Sequence, residues 1–166
     1  MATINSTLLN NRNSLLRSIA FGGMFIFISQ FIHTWIVPIL IQKNPFIVAW
    51  QYIASGALGM AAFEGGLATA LLGVFFHLII SFVIAGVFIL SADRIPLLRR
   101  YAIAGSLLYG FGVFIVMHMI VTPLSATPPL PAPTIPWLIE DIIEHILTVG
   151  LPLGILARWN ANIKNL

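Results

Sequence analysis

The sequence predicts an all-α membrane protein with four transmembrane helices and one further helix that does not cross the bilayer. Of its 166 residues, 59% are hydrophobic and only 8% are charged, and the mean hydropathy is +1.00. Since a water-soluble domain carries about 25% charged residues, the composition excludes one. Four apolar stretches have the length of about 20 residues that a membrane-crossing helix needs. They are residues 19–42, 67–92, 102–122 and 137–157.

A fifth apolar stretch, residues 46–63, is borderline in length, and the positions of the basic residues predict how it lies. Lys and Arg concentrate in cytoplasmic loops. If this stretch does not cross, seven of the eight Lys and Arg residues lie on the cytoplasmic side, and if it crosses only two do. The sequence therefore predicts an interfacial or re-entrant helix, with Trp50 and Tyr52 in the headgroup zone and both chain termini in the cytoplasm.

The flanking segments complete the predicted topology. Arg12 and Arg17 precede an apolar run that is too long for a signal peptide and lacks an A-x-A cleavage pattern, so it is interpreted as a retained anchor. Residues 123–136 contain six prolines, which predicts a stiff extended link on the outer side. The whole chain, residues 1–166, is expected to form a single multi-pass domain in a bacterial inner (cytoplasmic) membrane.

Each predicted span carries one stripe of small or polar residues, the kind of face through which membrane helices associate. On the last span the polar residues fall within an arc of about 100°. The members are Gly22, Ser29, Gln30 and His33 on the first span; Thr69, Gly73, His77, Ser81 and Ala85 on the second; Gly105, Gly110 and Gly112 on the third; and Asp141, Glu144, His145, Thr148 and Pro152 on the fourth.

Each span also contains one histidine, and these are the four histidines of the chain: His33, His77, His118 and His145. At about 1.5 Å per residue, three of them lie roughly 12 to 15 Å from the outer end of their span, and His118 lies at about 6 Å, level with Asp141. Ionisable groups at such depth face the bundle interior. They serve either as interhelical hydrogen-bonding groups or as cofactor ligands, in which case His77 and His145 are the leading pair for haem, a chlorophyll-type pigment or a metal ion.

The acidic residues cluster at the start of the fourth span. The pattern Glu140-Asp141-x-x-Glu144-His145 matches the spacing of di-iron bundles, but those sites need carboxylates from several helices. Because a single helix supplies them here, no metal centre is predicted. Glu140 and Asp141 are expected at the outer mouth, and Glu144 is expected to pair with His118, His33 or water. The predicted polar interior consists of Glu144, Asp141, Gln30 and Thr148.

From Ala54 onward the chain resembles a family of small, poorly characterised bacterial integral membrane proteins. The resemblance covers about two thirds of the chain and implies a four-helix inner-membrane protein, without an activity. Members of that family more often carry a polar amide at the position of His118, which favours His77 and His145. The matching residues are Ala54-Ser-Gly-Ala-Leu-Gly59, Phe63-Glu-Gly-Gly-Leu-Ala-Thr-Ala-Leu-Leu-Gly73, His77, Pro123-Leu-Ser-Ala126, Pro128-Pro129, His145 and Val149-Gly-Leu-Pro152.

The function expected from the sequence is that of a non-enzymatic accessory subunit of a larger membrane complex, holding a cofactor or lipid between its helices. The chain has no cysteine, which excludes disulfides and thiolate chemistry, and it has no phosphate loop or nucleophile elbow. Lipids and other membrane subunits are the expected partners, and nucleic acid is not. Two alternatives stay open, namely a His-ligated b-type haem protein for redox or sensing and a small dimeric proton-coupled transporter.

Overall fold

The computed structural model describes residues 2–37, 46–129 and 133–164, and the regular structure of these ranges is helical. Two of the long helices contain a π-helical segment. The elements are α1 (Ala2–Val37); α2 (Phe46–Leu58) with a 3₁₀ turn (Gly59–Phe63); α3 (Gly66–Arg94); α4 (Pro96–Arg100); α5 (Ala102–Val116), continued by a π-helix (Met117–Val121) and α6 (Thr122–Leu124); and α7 (Ile135–Glu144), continued by a π-helix (His145–Gly150) and α8 (Leu151–Lys164).

Four helices in the described ranges are long and apolar enough to span a membrane: Arg12–Ile36, Phe46–Phe63, Gly66–Arg94 and Ala102–Leu124. Three of them match the predicted spans, although residues 38–42 of the first lie outside the described ranges. The identity of the fourth differs. Phe46–Phe63 satisfies the length and hydropathy criteria, whereas the helix containing residues 137–157, with three carboxylates near its start, is not among the four.

Close contacts show that α1 runs antiparallel to α3. A side chain at Gly23 of α1 would meet Phe82, and the ring of Phe27 lies 5.8 Å from that of His77. As the residue number rises along α1, it falls along α3, so the end of α1 and the start of α3 lie at the same end of the bundle.

The helix formed by α7 and α8 also runs antiparallel to its neighbours. Gly22 of α1 faces Leu153, and Gln30 contacts Glu144, so the numbers again change in opposite directions. On α5 a side chain at Gly110 would meet Gly150. The bundle is therefore built from α1, α3, the α5–α6 helix and the α7–α8 helix, with directions that alternate along the chain.

Small residues let these helices approach closely, as predicted for α3 and in part for α5. Gly73, Ser81 and Ala85 are buried on α3. Gly112 of α5 is different, because a side chain there would meet none of the described residues within 4 Å, so the structure shows no contact for its predicted packing role. The core of the bundle consists of Ile26, Ala85, Phe88, Ile89, Ala92, Ala102, Val113, Val149, Leu153 and Ala157.

Helix α2 packs against the first half of α3. Its backbone at Trp50 lies directly on Gly73, where any side chain would collide with the Trp50 carbonyl group. Gln51 Nε2 donates to the Gly66 carbonyl group at 3.0 Å. Trp50 is only 1% exposed, so its ring is enclosed by neighbouring helices. The absence of a Cβ at Gly73 is what allows this burial.

The chain reverses between α2 and α3 through two glycines with positive φ, Gly59 (58°) and Gly66 (56°), a conformation that few other residues adopt. The start of the proline-rich link lies against the same region. The Ala126 N–H donates to the Gly56 carbonyl group at 3.0 Å, and Ser125 has an extended backbone (ψ 175°). Residues 130–132 of the predicted link lie outside the described ranges.

Both π-helical segments end two residues before a proline, at Val121 before Pro123 and at Gly150 before Pro152. A proline within a helix has no N–H to donate, and its ring crowds the carbonyl group four residues earlier. That carbonyl group belongs to Met119 in one case and to Thr148 in the other, so in each helix the wider π turn lies at the point of crowding.

A histidine and carboxylate cluster as the candidate functional site

Three helices bring histidine and acidic side chains together at the end of the bundle where α1 and α5 finish and α7 begins. His33 comes from α1 and His118 from the π-helix after α5, while the remaining members come from α7 and the residue that follows it. We call this group the His–carboxylate cluster, and its members are His33, His118, Glu140, Asp141, Glu144 and His145.

Asp141 bridges two of the histidines. Its Oδ2 atom lies 3.1 Å from His118 Nε2, and its Oδ1 atom lies 3.0 Å from His145 Nδ1. The other ring nitrogen of His118 lies 3.0 Å from the Phe114 carbonyl oxygen. Both nitrogens of His118 therefore face oxygen acceptors. A neutral imidazole ring has only one N–H, so the second contact needs a further proton, carried either by the ring or by Asp141.

One nitrogen atom, His145 Nδ1, lies among three oxygen atoms. These are the Asp141 carbonyl oxygen at 2.9 Å, Asp141 Oδ1 at 3.0 Å and Glu144 Oε2 at 3.2 Å. A single N–H can serve only one of these acceptors well. The other oxygen atoms around His145 Nδ1, which include at least one carboxylate oxygen, therefore receive no well-formed hydrogen bond from His145.

Glu144 is the most deeply buried carboxylate of the cluster, with a side chain that is 7% exposed. Gln30 Nε2 donates to its Oε2 atom at 3.4 Å, and Thr148 Oγ1 donates to its Oε1 atom at 3.1 Å. His33 Nδ1 lies 4.0 Å from Oε1. Glu144 thus joins α1 to the α7–α8 helix.

The outermost pair of the cluster is His33 and Glu140, which are in hydrogen-bond contact through Nε2 and Oε1. Their side chains are 30% and 39% exposed, against 13% for Asp141 and 12% for His145. The side chain of His118 is 31% exposed, so the cluster is exposed both at this pair and at His118, with the more deeply buried Asp141, Glu144 and His145 between them.

His77 occupies a separate aromatic environment. Its ring lies 5.8 Å from Phe27 and 5.6 Å from Trp50, measured between centroids. Its Nε2 atom and the Trp50 Nε1 atom are buried and have no hydrogen-bond partner among the residues that the structure describes. His145, in contrast, has Phe114 and His118 as its ring neighbours.

The structure thus brings together three of the four predicted histidines and the predicted polar residues Gln30, Glu144, Asp141 and Thr148. The expected level of His118 with Asp141 is confirmed by their direct contact, and Glu144 has His33 as one of its expected partners. The proposed ligand roles of the histidines stay predictions.

Two features of the site are not predicted from the sequence. Phe114 and Trp137 flank the His118 ring at centroid distances of 4.5 and 5.8 Å. Both His118 and His145 lie in π-helical segments, which are often found at functional sites. The prolines at 123 and 152, inside or beside apolar runs, are the sequence signal that points to such irregular turns.

The described arginines lie at the other end of the bundle. Two precede or begin the apolar part of α1, one ends α3, two belong to α4, and one lies in the second half of α8. They are Arg12, Arg17, Arg94, Arg99, Arg100 and Arg158. Within the described part of the chain, the ion pairs of the cluster carboxylates are with histidines. Charge balance within the cluster therefore depends on protons or on a bound cation.

Asp141, Glu144 and His145 offer one ligand atom each within 4.8 Å of one another, close enough to share a metal ion. Their donor set is mixed, with one nitrogen and two carboxylate oxygens. The described part of the chain thus defines a class, an all-helical protein with four helices long and apolar enough to span a membrane and a polar cluster between three of its helices. Comparisons with protein-family models, curated proteins and solved structures give no match.

Proposed function

We propose that this chain is a non-enzymatic subunit of a larger membrane assembly and that the His–carboxylate cluster holds a small ligand between its helices. The observation that carries the proposal is the cluster itself, in which three helices place ionisable side chains in contact inside an apolar bundle. Placing such groups in a membrane is costly, and where they occur they mark sites or pathways. The residues in contact are donors, acceptors and potential ligands, without a cysteine nucleophile among them.

The apolar outer surface supports the assembly part of this proposal. Aromatic side chains are exposed on three helices, including Phe21 (68%) and Phe25 (52%) on α1, Phe75 (54%) on α3 and Trp159 (63%) on α8. Large rigid rings are the side chains that most often anchor protein interfaces. The same rings also suit lipid contact, so the experiment has to separate the two uses.

Purification in mild detergent, followed by native gels and mass spectrometry, tests the assembly. We expect the chain to migrate with at least one other membrane protein at a defined stoichiometry. The double variant Phe21→Ala/Phe25→Ala tests one exposed face, with Phe27→Ala as a matched control on the opposite, inward side of α1. A wild-type chain that migrates as a lone monomer contradicts the proposal.

For the membrane topology, we propose four crossings by α1, α3, the α5–α6 helix and the α7–α8 helix, with α2 re-entrant and both termini in the cytoplasm of a bacterial inner membrane. The antiparallel pairing of α1 with α3 supports this. The chain segment between these two helices, which includes α2, then begins and ends on the same side of the membrane. The seven-to-one distribution of basic residues supports the same orientation.

Single cysteines test this topology cleanly because the chain has none of its own. In spheroplasts, a membrane-impermeant maleimide is expected to label Glu64→Cys and Thr134→Cys at once, and Arg99→Cys only after permeabilisation. If residues 46–63 cross the bilayer, Glu64→Cys and Arg99→Cys exchange their labelling behaviour, and the proposed topology is lost.

A proton-coupled transporter is a second candidate, and the continuity of the cluster favours it. Contacts run from Glu140 to His33, on to Glu144, then through His145 and Asp141 to His118. Such alternation of donors and acceptors suits proton transfer between the two partly exposed ends of the cluster, the His33–Glu140 pair and His118. In proteoliposomes with an internal pH-sensitive dye, Glu144→Gln is expected to abolish proton flux and Glu64→Gln to preserve it. Equal flux in both variants argues against this candidate.

The buried and unpartnered Nε2 atom of His77 favours a third candidate, a b-type haem protein, since a neutral imidazole nitrogen is an axial ligand of haem. The absorption spectrum of the purified chain decides this. A Soret band that disappears in His77→Ala and persists in His33→Ala supports haem binding, whereas a colourless preparation eliminates it.

A further inference from the structure

We infer that the inner part of the His–carboxylate cluster is a binding site for a divalent first-row transition metal ion, with Asp141, Glu144 and His145 as ligands. The inference rests on the proposed function in one respect, since it names the small ligand that the cluster holds. It also revises the expectation from the sequence. There the spacing of the acidic residues and His145 is compared with that of dinuclear centres, and no metal ligand is predicted.

The spacing of the donor atoms suits a single ion. Two ligand atoms bound at 2.0–2.2 Å to one ion lie about 3 to 3.5 Å apart. His145 Nδ1 lies 3.0 Å from Asp141 Oδ1 and 3.2 Å from Glu144 Oε2, and the three ligand atoms all lie within 4.8 Å of one another. Little movement of the side chains is needed to place an ion between them.

The charge of the site supports a cation. The described arginines lie at the opposite end of the bundle, so Asp141 and Glu144 have imidazole rings and neutral donors as their partners. Two buried carboxylates without a full counter-charge are unfavourable in a low-dielectric interior. A divalent ion balances their two charges and takes the place of the proton that His145 Nδ1 otherwise directs at them.

The kind of metal follows from the donors. Imidazole nitrogen suits zinc, iron, copper and nickel, whereas carboxylate oxygen suits manganese and harder ions, so a mixed set points to the divalent transition metals that accept both. His118 contacts Asp141, and His33 contacts Glu144, so the two outer histidines orient the carboxylate ligands. Partners that orient ligands in this way raise metal affinity by about 10- to 100-fold.

Metal binding by the full chain is the direct test. The protein is purified in detergent with an affinity tag that contains no histidine, stripped with a chelator and equilibrated with Zn²⁺, and the bound metal is measured by mass spectrometry. We expect saturation near one ion per chain. Asp141→Asn and Glu144→Gln are each expected to weaken binding by more than about 100-fold, since they remove direct ligands, and His118→Gln by about 10- to 100-fold. Glu64→Gln, a carboxylate outside the cluster, serves as the matched control and is expected to bind like the wild type.

A wild-type chain that retains no Zn²⁺, or that binds equally well in folded Asp141→Asn and Glu144→Gln variants, overturns the inference. If those variants do not fold, X-ray absorption at the zinc edge of the wild-type chain decides, since a site with an imidazole ligand gives a recognisable scattering pattern and a site without one contradicts the assignment. The outcomes are separable from the assembly test. A chain that binds Zn²⁺ but has no partner protein contradicts only the subunit proposal, and a chain with a partner but no metal contradicts only the metal site.

Discussion

His77 and His145 are each the only histidine of a long helix, yet their surroundings differ in kind. The ring of His77 lies between Phe27 and Trp50, and its Nε2 atom has no hydrogen-bond partner within the described ranges. The Nδ1 atom of His145 lies next to two carboxylates. The partners of His145 come from its own helix, one and four residues earlier, whereas Trp50 reaches His77 from a separate helix. A local sequence pattern therefore reveals the environment of one histidine and not of the other.

The largest expected effect tests whether the charged environment of His145 holds the bundle together. Asp141→Leu removes the carboxylate that contacts both His118 and His145. Breaking a fully buried ion pair from one side costs about 3–5 kcal/mol of unfolding free energy, and because this pair is partly exposed and His145 keeps other acceptors we expect the lower end, about 3 kcal/mol. Unfolding followed by circular dichroism during an SDS titration measures this loss.

The control for that experiment is Glu64→Leu at an exposed carboxylate, where a surface substitution changes stability by about 0.5 kcal/mol at most. Equal stability of Asp141→Leu and the wild type shows that the cluster contributes nothing to the stability of the fold. The different surroundings of His77 and His145 then affect function and not stability.

A second, smaller effect tests the close approach that positions His145. A side chain at Gly110 would lie 2.6 Å from the His145 carbonyl oxygen and 3.0 Å from the Gly150 nitrogen. Gly110→Ala is therefore expected to push α5 away from the π-helical segment and to cost about 2 kcal/mol, the usual range for overpacking.

Gly112→Ala is the matched control for this prediction. It lies two residues further along α5 and meets nothing within 4 Å, so the better helix propensity of alanine gives a gain of up to about 1 kcal/mol. The same SDS titration measures both variants. Similar losses in both contradict the contact of α5 with the π-helical segment.

Much of the fold is predictable from the sequence because lipid imposes simple length and hydropathy requirements. The bounds of α3 (Gly66–Arg94) and of the α5–α6 helix (Ala102–Leu124) lie within two residues of the predicted spans, whereas α1 begins at Ala2, well before its predicted span, and α8 continues to Lys164. The polar residues of the last span, spaced for one helical face, do meet Gln30 and His33. Periodicity shows which residues share a face and thus which side chains can gather inside the bundle.

What the sequence does not predict is which face meets which. The burial of Trp50 depends on Gly73 of another helix, and periodicity within α2 does not contain that information. The π-helical turns that contain His118 and His145 precede prolines, and apolar periodicity does not predict them. Pairwise geometry of this kind is a tertiary property. The leading pair that depth and the resemblance favour, His77 and His145, therefore differs from the ring neighbours in the structure, which are His118 and His145.

A third prediction sharpens the contrast from the side of His77. Because its Nε2 atom is buried without a partner, His77→Phe replaces an unsatisfied polar group with a ring that suits Phe27 and Trp50. We expect a gain of about 1 kcal/mol, since leaving a buried polar group unsatisfied costs about 1–3 kcal/mol. The SDS titration is again the measurement. A clear loss of stability in His77→Phe indicates that Nε2 has a partner in the membrane, such as a bound cofactor, and removes the contrast with His145.

The smallest effect concerns the hydrogen bond from Thr148 to Glu144, which lies at the inner limit of the cluster. Thr148 Oγ1 is 3.1 Å from Glu144 Oε1 and 2.8 Å from the Glu144 carbonyl oxygen, so Thr148→Val keeps the shape of the side chain and removes the one O–H that these two oxygen atoms can accept. Side-chain hydrogen bonds between membrane helices contribute about 0.6 kcal/mol on average, and because this bond lies within one helix we expect a loss of at most this size. In the double variant Thr148→Val/Glu144→Gln, the two effects are expected to be non-additive, because the substitutions affect one shared contact. Strict additivity places Thr148 outside the cluster, and the charged environment that distinguishes His145 from His77 then ends at Glu144.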